Sequence, residues 1–361
     1  MSLLTAAAHS TEADGSAAGV TVAGWGTALP ARRVTNHDLT QHLETSDAWI
    51  VDRSGIRERR WVGPGESTGP LSVAAARAAL ARAGLAATDL DVIVVATTTP
   101  EKPLPSTAAL VAAELGTTAG AFDLNAACAG FVYSLATASA LVSSGVARTA
   151  LLVGADTMTS IIDPGDRATA VLFGDGAAAL VLTGGPDDLG QPPPPGAPGL
   201  VASDLVGDPA GVDLLVVPAG GSARPASAAT VAAGDHYLRM DGREVFRRAV
   251  RAAEASIVRT LARAGCTVDD VALFVPHQAN ARITDAVLAR TGLAADRTSS
   301  TIDRYGNTSA ASIPLALAEA ASAGTVAPGD LVLMCGFGAG LTVGTALWRW
   351  GTPTQFDKEA T

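Results

Sequence analysis

The sequence is poor in the features that mark secreted, membrane-spanning or nucleic-acid-binding proteins. Only three cysteines occur in 361 residues, Cys128, Cys266 and Cys335, and their spacing fits neither a CxxC motif nor a disulfide framework, which favours a reducing cytoplasm. No apolar run reaches the roughly 18 residues of a transmembrane helix. Residues 1–19 lack the basic and apolar regions of a signal peptide. The net charge of −10 argues against general binding to nucleic acids.

Metal ligands and lysines are scarce as well. The chain has five histidines, none in an HExxH or similar cluster, so no metal site is expected. Lysine occurs only at Lys102 and Lys358, so arginine carries nearly all of the positive charge. Apolar residues, by contrast, make up 48% of the chain and charged residues 17%. These proportions predict a soluble globular protein, long enough for two average domains or one fused pair.

The sequence repeats itself at an offset of 181 residues. The motif Leu-Ala-Arg-Ala-Gly at residues 80–84 recurs at 261–265, and in both copies a helical run leads into a glycine suited to end a helix. Apolar strand candidates follow at matching places, namely 91–97 with 272–277 and 151–154 with 331–336. Alternating helices and apolar strands predict mainly parallel sheets covered on both faces. We therefore expect an α/β fold of two halves related by a pseudo-two-fold axis.

Composition and the repeat divide the chain into five segments. They are a flexible N-terminal tail (1–19), an N-terminal half (20–184), a Pro/Gly-rich connecting segment (185–235), a C-terminal half (236–351) and a C-terminal tail (352–361). Four consecutive prolines within residues 184–199 predict an extended surface loop.

Cys128 stands where an apolar stretch gives way to a helix of small residues, 129–144. A thiol at a helix N-terminus lies near the positive end of the macrodipole and free backbone N–H groups, which favour the nucleophilic thiolate. Free cysteine is also among the most buried residue types, so a purely structural cysteine is the alternative. The choice depends on residues about 150 and 180 positions downstream.

The repeat brings two further polar residues to the same place. Adding 181 to Cys128 gives Ser309, two residues beyond Asn307, and His277 closes the strand that repeats residues 93–96. Ligands of doubly wound sheets bind beyond the strand ends, where loops converge. Cys128, His277 and Asn307 are therefore predicted to form one site, although singly His277 also fits a core histidine and Asn307 a turn residue.

The three side chains suit acyl transfer through a thioester. A thiolate can attack an acyl donor and so divide one difficult transfer into two easier steps. His277 is a neutral donor or base near pH 7, and Asn307 offers an N–H donor that never ionises. Such a pair can stabilise the enolate oxyanion formed when a malonyl thioester loses carbon dioxide. Papain-like proteases also use Cys, His and Asn, but in different local sequences.

A glycine-rich stretch, residues 336–342, follows an apolar strand near the C-terminus. It lacks the G-x-G-x-x-G spacing of a dinucleotide loop. Its glycines instead predict a close approach of the backbone, with an N–H aimed at a thioester oxygen.

Four motifs carry a resemblance to a known family. They are Ala-Ala-Cys-Ala-Gly-Phe around Cys128, Pro-His-Gln-Ala-Asn-x-Arg-Ile from residue 276, Gly-Asn-Thr-Ser-Ala-Ala-Ser from residue 306 and Gly-Phe-Gly-x-Gly from residue 336. In order and spacing the chain resembles bacterial β-ketoacyl-ACP synthase III over about residues 20–351. The resemblance implies a thiolase fold with a five-layered αβαβα core. It also implies a cytoplasmic homodimer without a permanently bound cofactor or metal.

The same resemblance assigns the chemistry. It implies that an acyl-CoA primer acylates Cys128, and that His277 and Asn307 promote decarboxylation of malonyl-ACP. The resulting carbanion attacks the acyl-enzyme and gives a 3-oxoacyl-ACP, which starts fatty-acid or aromatic polyketide synthesis. The backbone N–H groups of Cys128 and Ala339 match the oxyanion hole. Neither the primer nor the choice between the two pathways follows from the sequence.

Other positions match the family's substrate contacts residue by residue. Trp49 and Arg167 match residues that hold the adenine of coenzyme A, and Arg53 matches one that meets phosphate. The remaining matches concern the pantetheine arm (Gly242, Asn280), the acyl pocket (Leu104, Phe173) and docking of the acidic carrier protein (Arg247, Arg282, Arg290). Leu104 stands where relatives often carry phenylalanine, which leaves room for longer or branched primers. Taken alone, Trp49 also fits helix packing, and the arginines fit solvated surface charges.

Three other functions share this fold. An acyltransferase that moves an acyl group to oxygen, sulfur or nitrogen needs no decarboxylation, and the intact His277/Asn307 pair argues against it. A type III polyketide synthase needs no carrier protein, and the segment at residues 46–57 disfavours it. A non-catalytic scaffold would have little use for all three polar residues of the site.

Overall fold

The computed structural model of the chain describes residues 19–185 and 196–351. The predicted tails, apart from Gly19, and residues 186–195 of the proline-rich loop lie outside the described residues. Within the two described ranges, no helix has the length and apolar character needed to cross a membrane.

The described chain contains both strands and α-helices along its whole length. The strands are β1 (Val20–Ala28), β2 (Arg32–Thr35), β3 (Glu58–Trp61), β4 (Val92–Ala96), β5 (Gly120–Leu124), β6 (Thr149–Thr157), β7 (Asp175–Gly184), β8 (Gly199–Gly207), β9 (Leu215–Val216), β10 (Arg239–Met240), β11 (Val271–Pro276), β12 (Leu331–Gly338) and β13 (Thr342–Arg349). The α-helices are α1 (Asn36–Thr40), α2 (Asp47–Ser54), α3 (Thr68–Ala83), α4 (Thr107–Leu115), α5 (Gly130–Ser143), α6 (Arg167–Ala170), α7 (Ala228–Ala232), α8 (Gly242–Ala264), α9 (Ala281–Thr291), α10 (Ile302–Tyr305) and α11 (Ser312–Ser322).

Two large sheets repeat one topology. The first has the order β1-β7-β6-β4-β5 and the second the order β8-β13-β12-β11. In both, the corresponding pairs run parallel (β4 with β6, β11 with β12). In the first sheet β5 also lies parallel to β4, and the remaining pairs of both sheets are antiparallel. The offset of 181 residues superimposes β4 on β11 and β6 on β12 in sequence. The predicted pseudo-two-fold pair of halves is therefore present. The expectation of mainly parallel sheets is wrong, since four of the seven pairings in the two sheets are antiparallel. In the second sheet β13 follows β12 after residues 339–341, too short a connection for a parallel crossover.

The connecting segment, residues 185–235, contributes a strand to the second sheet. Gly199–Gly207 was assigned to residues 185–235 on composition, yet it forms β8 and pairs antiparallel with β13 at the edge of the second sheet. Its position corresponds to that of β1 in the first sheet. As an edge strand with one half-exposed face, β8 lacks the continuous apolar run of a central strand, so composition did not reveal it. The segment boundaries otherwise stay a prediction.

The core has five layers. Helices α3 and α4 cover the outer face of the first sheet, and α8 and α9 cover the outer face of the second. Between the sheets, α5 and α11 pack with the inner faces of both into one apolar cluster. Neighbouring strand residues such as Val94 and Val95 point to opposite faces and are both buried, because the sheet is covered on both sides. This arrangement is the αβαβα core of the thiolase fold.

Candidate active site

Cys128 lies between the two sheets, in a short 3₁₀ turn (Ala127–Ala129) directly before α5. The corresponding turn of the second half, Ser309–Ala311, precedes α11. The Cys128 thiol donates a hydrogen bond to the Ser309 hydroxyl, with Sγ and Oγ 3.3 Å apart. The symmetry reasoning that placed residue 309 opposite residue 128 is therefore confirmed as geometry.

Burial changes the expected charge of this thiol. Cys128 is 6% exposed, and its burial raises the pKa to about 12, whereas its hydrogen bond with Ser309 lowers the pKa, because the hydroxyl can donate to the thiolate. The sequence predicted correctly that the thiol lies at the start of a helix. The prediction that this position favours the thiolate was wrong. Desolvation penalises the charged form more than the hydrogen bond with Ser309 favours it. At neutral pH the free pocket therefore holds a thiol.

His277 follows β11 and is almost completely buried. Burial lowers its pKa to about 3, so the imidazole is neutral throughout the physiological range. Its Nδ1 lies 2.6 Å from the Ser312 hydroxyl, and its ring meets the Phe337 ring at 72° with centroids 5.2 Å apart. These contacts fix the ring, and Nε2 is the ring nitrogen left for a ligand.

Asn307 is held by both its backbone and its side chain. Its N–H donates to the Leu172 carbonyl, and its carbonyl accepts from the Gly174 N–H. Its Oδ1 accepts from the backbone N–H of Ser309 at 2.9 Å. Because the carbonyl end of the amide is occupied, the NH₂ end is the one that remains for a ligand. This orientation supplies a hydrogen-bond donor, as the sequence reasoning required.

The glycines of β12 let the strand lie against the nucleophile's turn. A Cβ at Gly338 would stand 2.5 Å from the Cys128 nitrogen, and one at Gly336 would stand 3.0 Å from the Ala129 Cα. Both residues face the same way because strand residues alternate. Ala339 follows immediately. The predicted close backbone approach is therefore present, and Gly338 is a site residue that the sequence reasoning did not single out.

One cavity of about 150 Å³ gathers the three polar side chains. Cys128, His277 and Asn307 line it together with Gly242 and Asn280. Residues from both halves thus meet at a single site, although the sequence separates them by up to 179 positions. The cavity walls are otherwise apolar, which suits a thioester and a narrow pantetheine-like arm better than a charged ligand.

A second cavity of about 490 Å³ also opens at the nucleophile. Cys128, Phe173 and Ala339 line it, and much of the remaining wall is apolar, for example Met158 and Leu238. Phe173 borders both cavities. Leu104 does not line either cavity in the described chain, and its side chain is 85% exposed. Its predicted place in an acyl pocket therefore requires a second subunit.

The residues expected to bind adenine lie together at the surface. The Arg167 guanidinium carbon is 4.9 Å from the centre of the Trp49 ring, and the same guanidinium donates to the Glu44 carbonyl. Trp49 is 36% exposed. At this separation no base fits between the two groups, so a purine would stack on a free face or part them.

Arg53 and Asn280 connect that surface with the smaller cavity. The Asn280 amide donates to the Arg53 carbonyl at 2.9 Å, and its Oδ1 caps α9 by accepting from the Arg282 N–H. The Arg53 side chain is exposed, with only a loose ion pair to Asp52 at 3.7 Å. The Arg53 guanidinium is thus free to meet a phosphate. Asn280 lines the cavity, and its side chain is already engaged in hydrogen bonds with the backbone of Arg53 and Arg282.

The three arginines expected at the carrier site differ in their surroundings. The Arg282 guanidinium lies over Phe246 of α8, 5.9 Å from the ring centre, and is exposed. Arg247 pairs with Glu244 at 2.6 Å and Arg290 with Glu254 at 2.5 Å. Among the described ion pairs, Arg282 has none, so its charge is the one least compensated locally.

Comparisons with known proteins agree with this geometry. Residues 122–191 match the family described as 3-Oxoacyl-[acyl-carrier-protein (ACP)] synthase III, and residues 261–350 match its C terminal part. A β-ketoacyl-[acyl-carrier-protein] synthase III of Roseiflexus castenholzii is 49% identical over 330 residues, which cover 91% of this chain and 97% of that protein. The chain belongs to the β-ketoacyl-ACP synthase III family.

Solved structures show the same relationship. A synthase III of Pseudomonas aeruginosa is 43% identical, with a TM-score of 0.82 over 92% of this chain and 99% of that one. The priming β-ketosynthase of the R1128 polyketide pathway is 36% identical, with a TM-score of 0.84 over 93% and 98% of the two chains. The thiolase fold and the condensing acyltransferase class expected from the motifs are therefore confirmed. Both a synthase III and a polyketide priming enzyme are thus among the structures that this chain resembles.

Proposed function

We propose that the protein condenses an acyl-CoA primer with malonyl-ACP to give a 3-oxoacyl-ACP. The observation that carries the proposal is one cavity shared by a thiol, a neutral imidazole and an oriented amide, those of Cys128, His277 and Asn307. The reaction needs a nucleophile for the acyl group and donors for an enolate, and these three groups supply both. It starts fatty-acid or polyketide synthesis, and its chemistry uses only groups of the chain and the two thioester substrates.

In the first half-reaction the Cys128 sulfur attacks the thioester carbonyl of the primer. The carbon–sulfur bond to coenzyme A breaks, the acyl group moves to Cys128, and the thiol proton leaves with coenzyme A. We propose that the backbone N–H groups of Cys128 and Ala339 stabilise the tetrahedral oxyanion. The packing of Gly338 against the Cys128 nitrogen supports this role, because it brings the two backbone segments together.

In the second half-reaction the malonyl thioester loses carbon dioxide. The electron pair of the breaking bond becomes an enolate, whose oxygen accepts hydrogen bonds from His277 and Asn307. The enolate carbon then attacks the acyl-Cys128 carbonyl, and the thiolate leaves. A buried imidazole with a pKa of about 3 supports a donor role that does not depend on imidazolium. The apolar walls of the cavity strengthen such hydrogen bonds by excluding water.

The test separates the two half-reactions. Asn307→Ala and His277→Ala are each expected to accept an acyl group on Cys128 but to lose malonyl-ACP decarboxylation by about 10²–10³-fold, the usual cost of one transition-state donor. Intact-mass spectrometry measures acylation from a panel of acyl-CoAs, and release of labelled carbon dioxide measures decarboxylation. Unchanged decarboxylation by Asn307→Ala would point to the acyltransferase that does not decarboxylate.

We further propose that the arginine surface on α8 and α9, Arg247, Arg282 and Arg290, receives the acidic carrier protein. Arg282→Glu is expected to raise the KM for malonyl-ACP, because reversed charge repels an acidic partner. Priming by acyl-CoA should change much less. Arg77→Glu, on the opposite outer layer at α3, is the matched control. Equal impairment of Arg282→Glu with malonyl-CoA would show that Arg282 does not serve carrier recognition.

Coenzyme A is proposed to enter past Trp49, Arg53 and Arg167, with its pantetheine arm along Gly242 and Asn280. The exposed tryptophan–arginine pair supports a stacking site for adenine, and the free Arg53 guanidinium supports a phosphate contact. The cavity that Gly242 and Asn280 share with the nucleophile supports the course of the arm. Free thiols at all three described cysteines fit a reducing cytoplasm.

A homodimer is proposed on the geometry of the first sheet. Its last strand, β5, has no strand beyond it in the described chain and exposes part of Phe122. An unpaired edge of this kind is open to pairing with a second copy. Leu104, which is 85% exposed, would then be able to border the larger cavity of the partner subunit. Phe173 lines the larger cavity of its own chain.

A further inference from the structure

Ser312 ends the motif at residues 306–312 and has no part in the chemistry proposed above. It is the first residue of α11 and is 1% exposed. Its Oγ lies 2.6 Å from Nδ1 of His277, which is a hydrogen-bond distance. The hydroxyl therefore touches the ring from the side opposite to the nitrogen that faces the ligand.

The hydrogen-bond partners of this hydroxyl decide which atom donates. The Ser312 oxygen also faces the backbone N–H of Gln278, which can only donate to it, at 3.4 Å. Across residues 19–185 and 196–351, the one acceptor within reach of the Ser312 proton is Nδ1 of His277. If Nδ1 carried a proton, two donors would point at one oxygen and the buried hydroxyl proton would have no partner. Unpaired buried donors are rare because they are costly.

We propose that Ser312 is a positioning residue that donates to Nδ1 of His277 and so holds the ring in the tautomer with its proton on Nε2. The inference rests on the proposed function, since a fixed Nε2–H matters where an enolate oxygen must be met. The proton position follows from the hydrogen-bond network. The same turn also orients Asn307, because the backbone N–H of Ser309 donates to the Asn307 Oδ1. The Ser309–Ser312 turn thus orients both donors.

The fixed tautomer also limits what His277 can do. With Nδ1 engaged by Ser312 and Nε2 already protonated, the ring has no free lone pair for the Cys128 proton. The proton of the thiol must therefore leave with coenzyme A, as the proposed first half-reaction requires. Acylation of Cys128 should then be independent of Ser312, and decarboxylation should depend on it.

The kinetic experiment compares Ser312→Ala, Ser312→Thr and a matched control, Ser72→Ala. Ser72 is an equally buried helical serine whose hydroxyl bonds to the Thr68 carbonyl in α3, away from the site. Ser312→Ala is expected to lower kcat for malonyl-ACP decarboxylation in proportion to the share of rings that no longer carry the proton on Nε2, with the cost of one lost donor, about 10²–10³-fold, as the upper bound. KM and the rate of Cys128 acylation should stay near wild type. Ser312→Thr, which keeps the hydroxyl, should restore kcat, and Ser72→Ala should not change it.

A spectroscopic readout tests the tautomer directly. Long-range ¹H–¹⁵N spectra of the ring-labelled protein resolve protonated from unprotonated ring nitrogens, and His277→Asn identifies the signals of that ring among the five histidines. Wild type should show an unprotonated Nδ1, and Ser312→Ala should show a mixture of tautomers. A protonated Nδ1 in wild type, or wild-type decarboxylation by Ser312→Ala, would overturn the inference. Wild type that loads acyl groups but never decarboxylates malonyl-ACP would instead reject the proposed function, whatever the spectra show.

Discussion

Cys128→Ala is expected to abolish the acyl-enzyme. Wild-type protein incubated with a suitable acyl-CoA should gain one acyl mass, and the variant should gain none, because no other group in the cavity is a comparable nucleophile. Intact-mass spectrometry measures the difference, and peptide mapping assigns the acyl group. Cys266→Ala is the matched control, since it removes a thiol outside both cavities and should load normally.

The other buried thiol gives the strongest competing assignment. Cys335 lies in β12 within the outer core cluster of the second sheet, and burial raises its pKa to about 12, as for Cys128. Neither cavity at the site reaches it. Acyl mass that persists in Cys128→Ala and maps to Cys335 or Cys266 would therefore reject Cys128 as the nucleophile.

The protonated resting thiol is compatible with this role. Burial disfavours the thiolate, but the same burial keeps water away from the acyl-enzyme and strengthens hydrogen bonds to an oxyanion. The Cys128 turn precedes α5, so the free N–H groups of the first helical turn lie near the charge that develops. Their contribution arises when the thioester is attacked, and a large population of free thiolate is not required.

The correspondence between the two halves could be predicted from the sequence, because the repeated segments kept the same helix-ending motifs. Gly84 and Gly265 both end their helices in the left-handed region, with φ of 68° and 66°, as the matching Leu-Ala-Arg-Ala-Gly motifs predicted. The offset then carried Cys128 onto Ser309, and the structure places their side chains in contact. The internal repeat thus predicted a contact between distant residues that neither motif predicts alone.

Features without a local signal could not be found in this way. The edge strand β8 shares little with β1 beyond its place in the sheet, and the preceding prolines masked it. The charge state of Cys128 depends on how completely the folded protein buries the thiol, and position at the start of a helix does not encode that burial. The role of Ser312 likewise follows from a hydrogen bond across 35 residues.

Gly338 could not be singled out from the sequence, because three glycines follow Cys335 at alternate positions. Only the tertiary contacts of each glycine distinguish them. An added Cβ at Gly338 would stand 2.5 Å from the Cys128 nitrogen and 2.8 Å from the Ala127 Cβ. Real Cβ atoms do not approach a backbone so closely, so either β12 or the turn of the nucleophile must move. Displacement of reacting groups by about 1 Å can cost 10²-fold in rate.

Gly338→Ala is therefore expected to impair both half-reactions, each by at least about 10²-fold, because in the proposed mechanism acylation and condensation both pass through a tetrahedral oxyanion near the Cys128 N–H. Overpacking of this kind also destabilises by about 1–3 kcal/mol, so thermal unfolding must be recorded beside acylation and decarboxylation. Gly63→Ala is the matched control, since its added Cβ would meet only the Glu66 carboxylate at 3.6 Å. A folded Gly338→Ala protein that loads acyl groups at the wild-type rate would show that the close packing of β12 is not needed to place the nucleophile. Loss of decarboxylation with normal loading would instead restrict the role of Gly338 to the malonyl step.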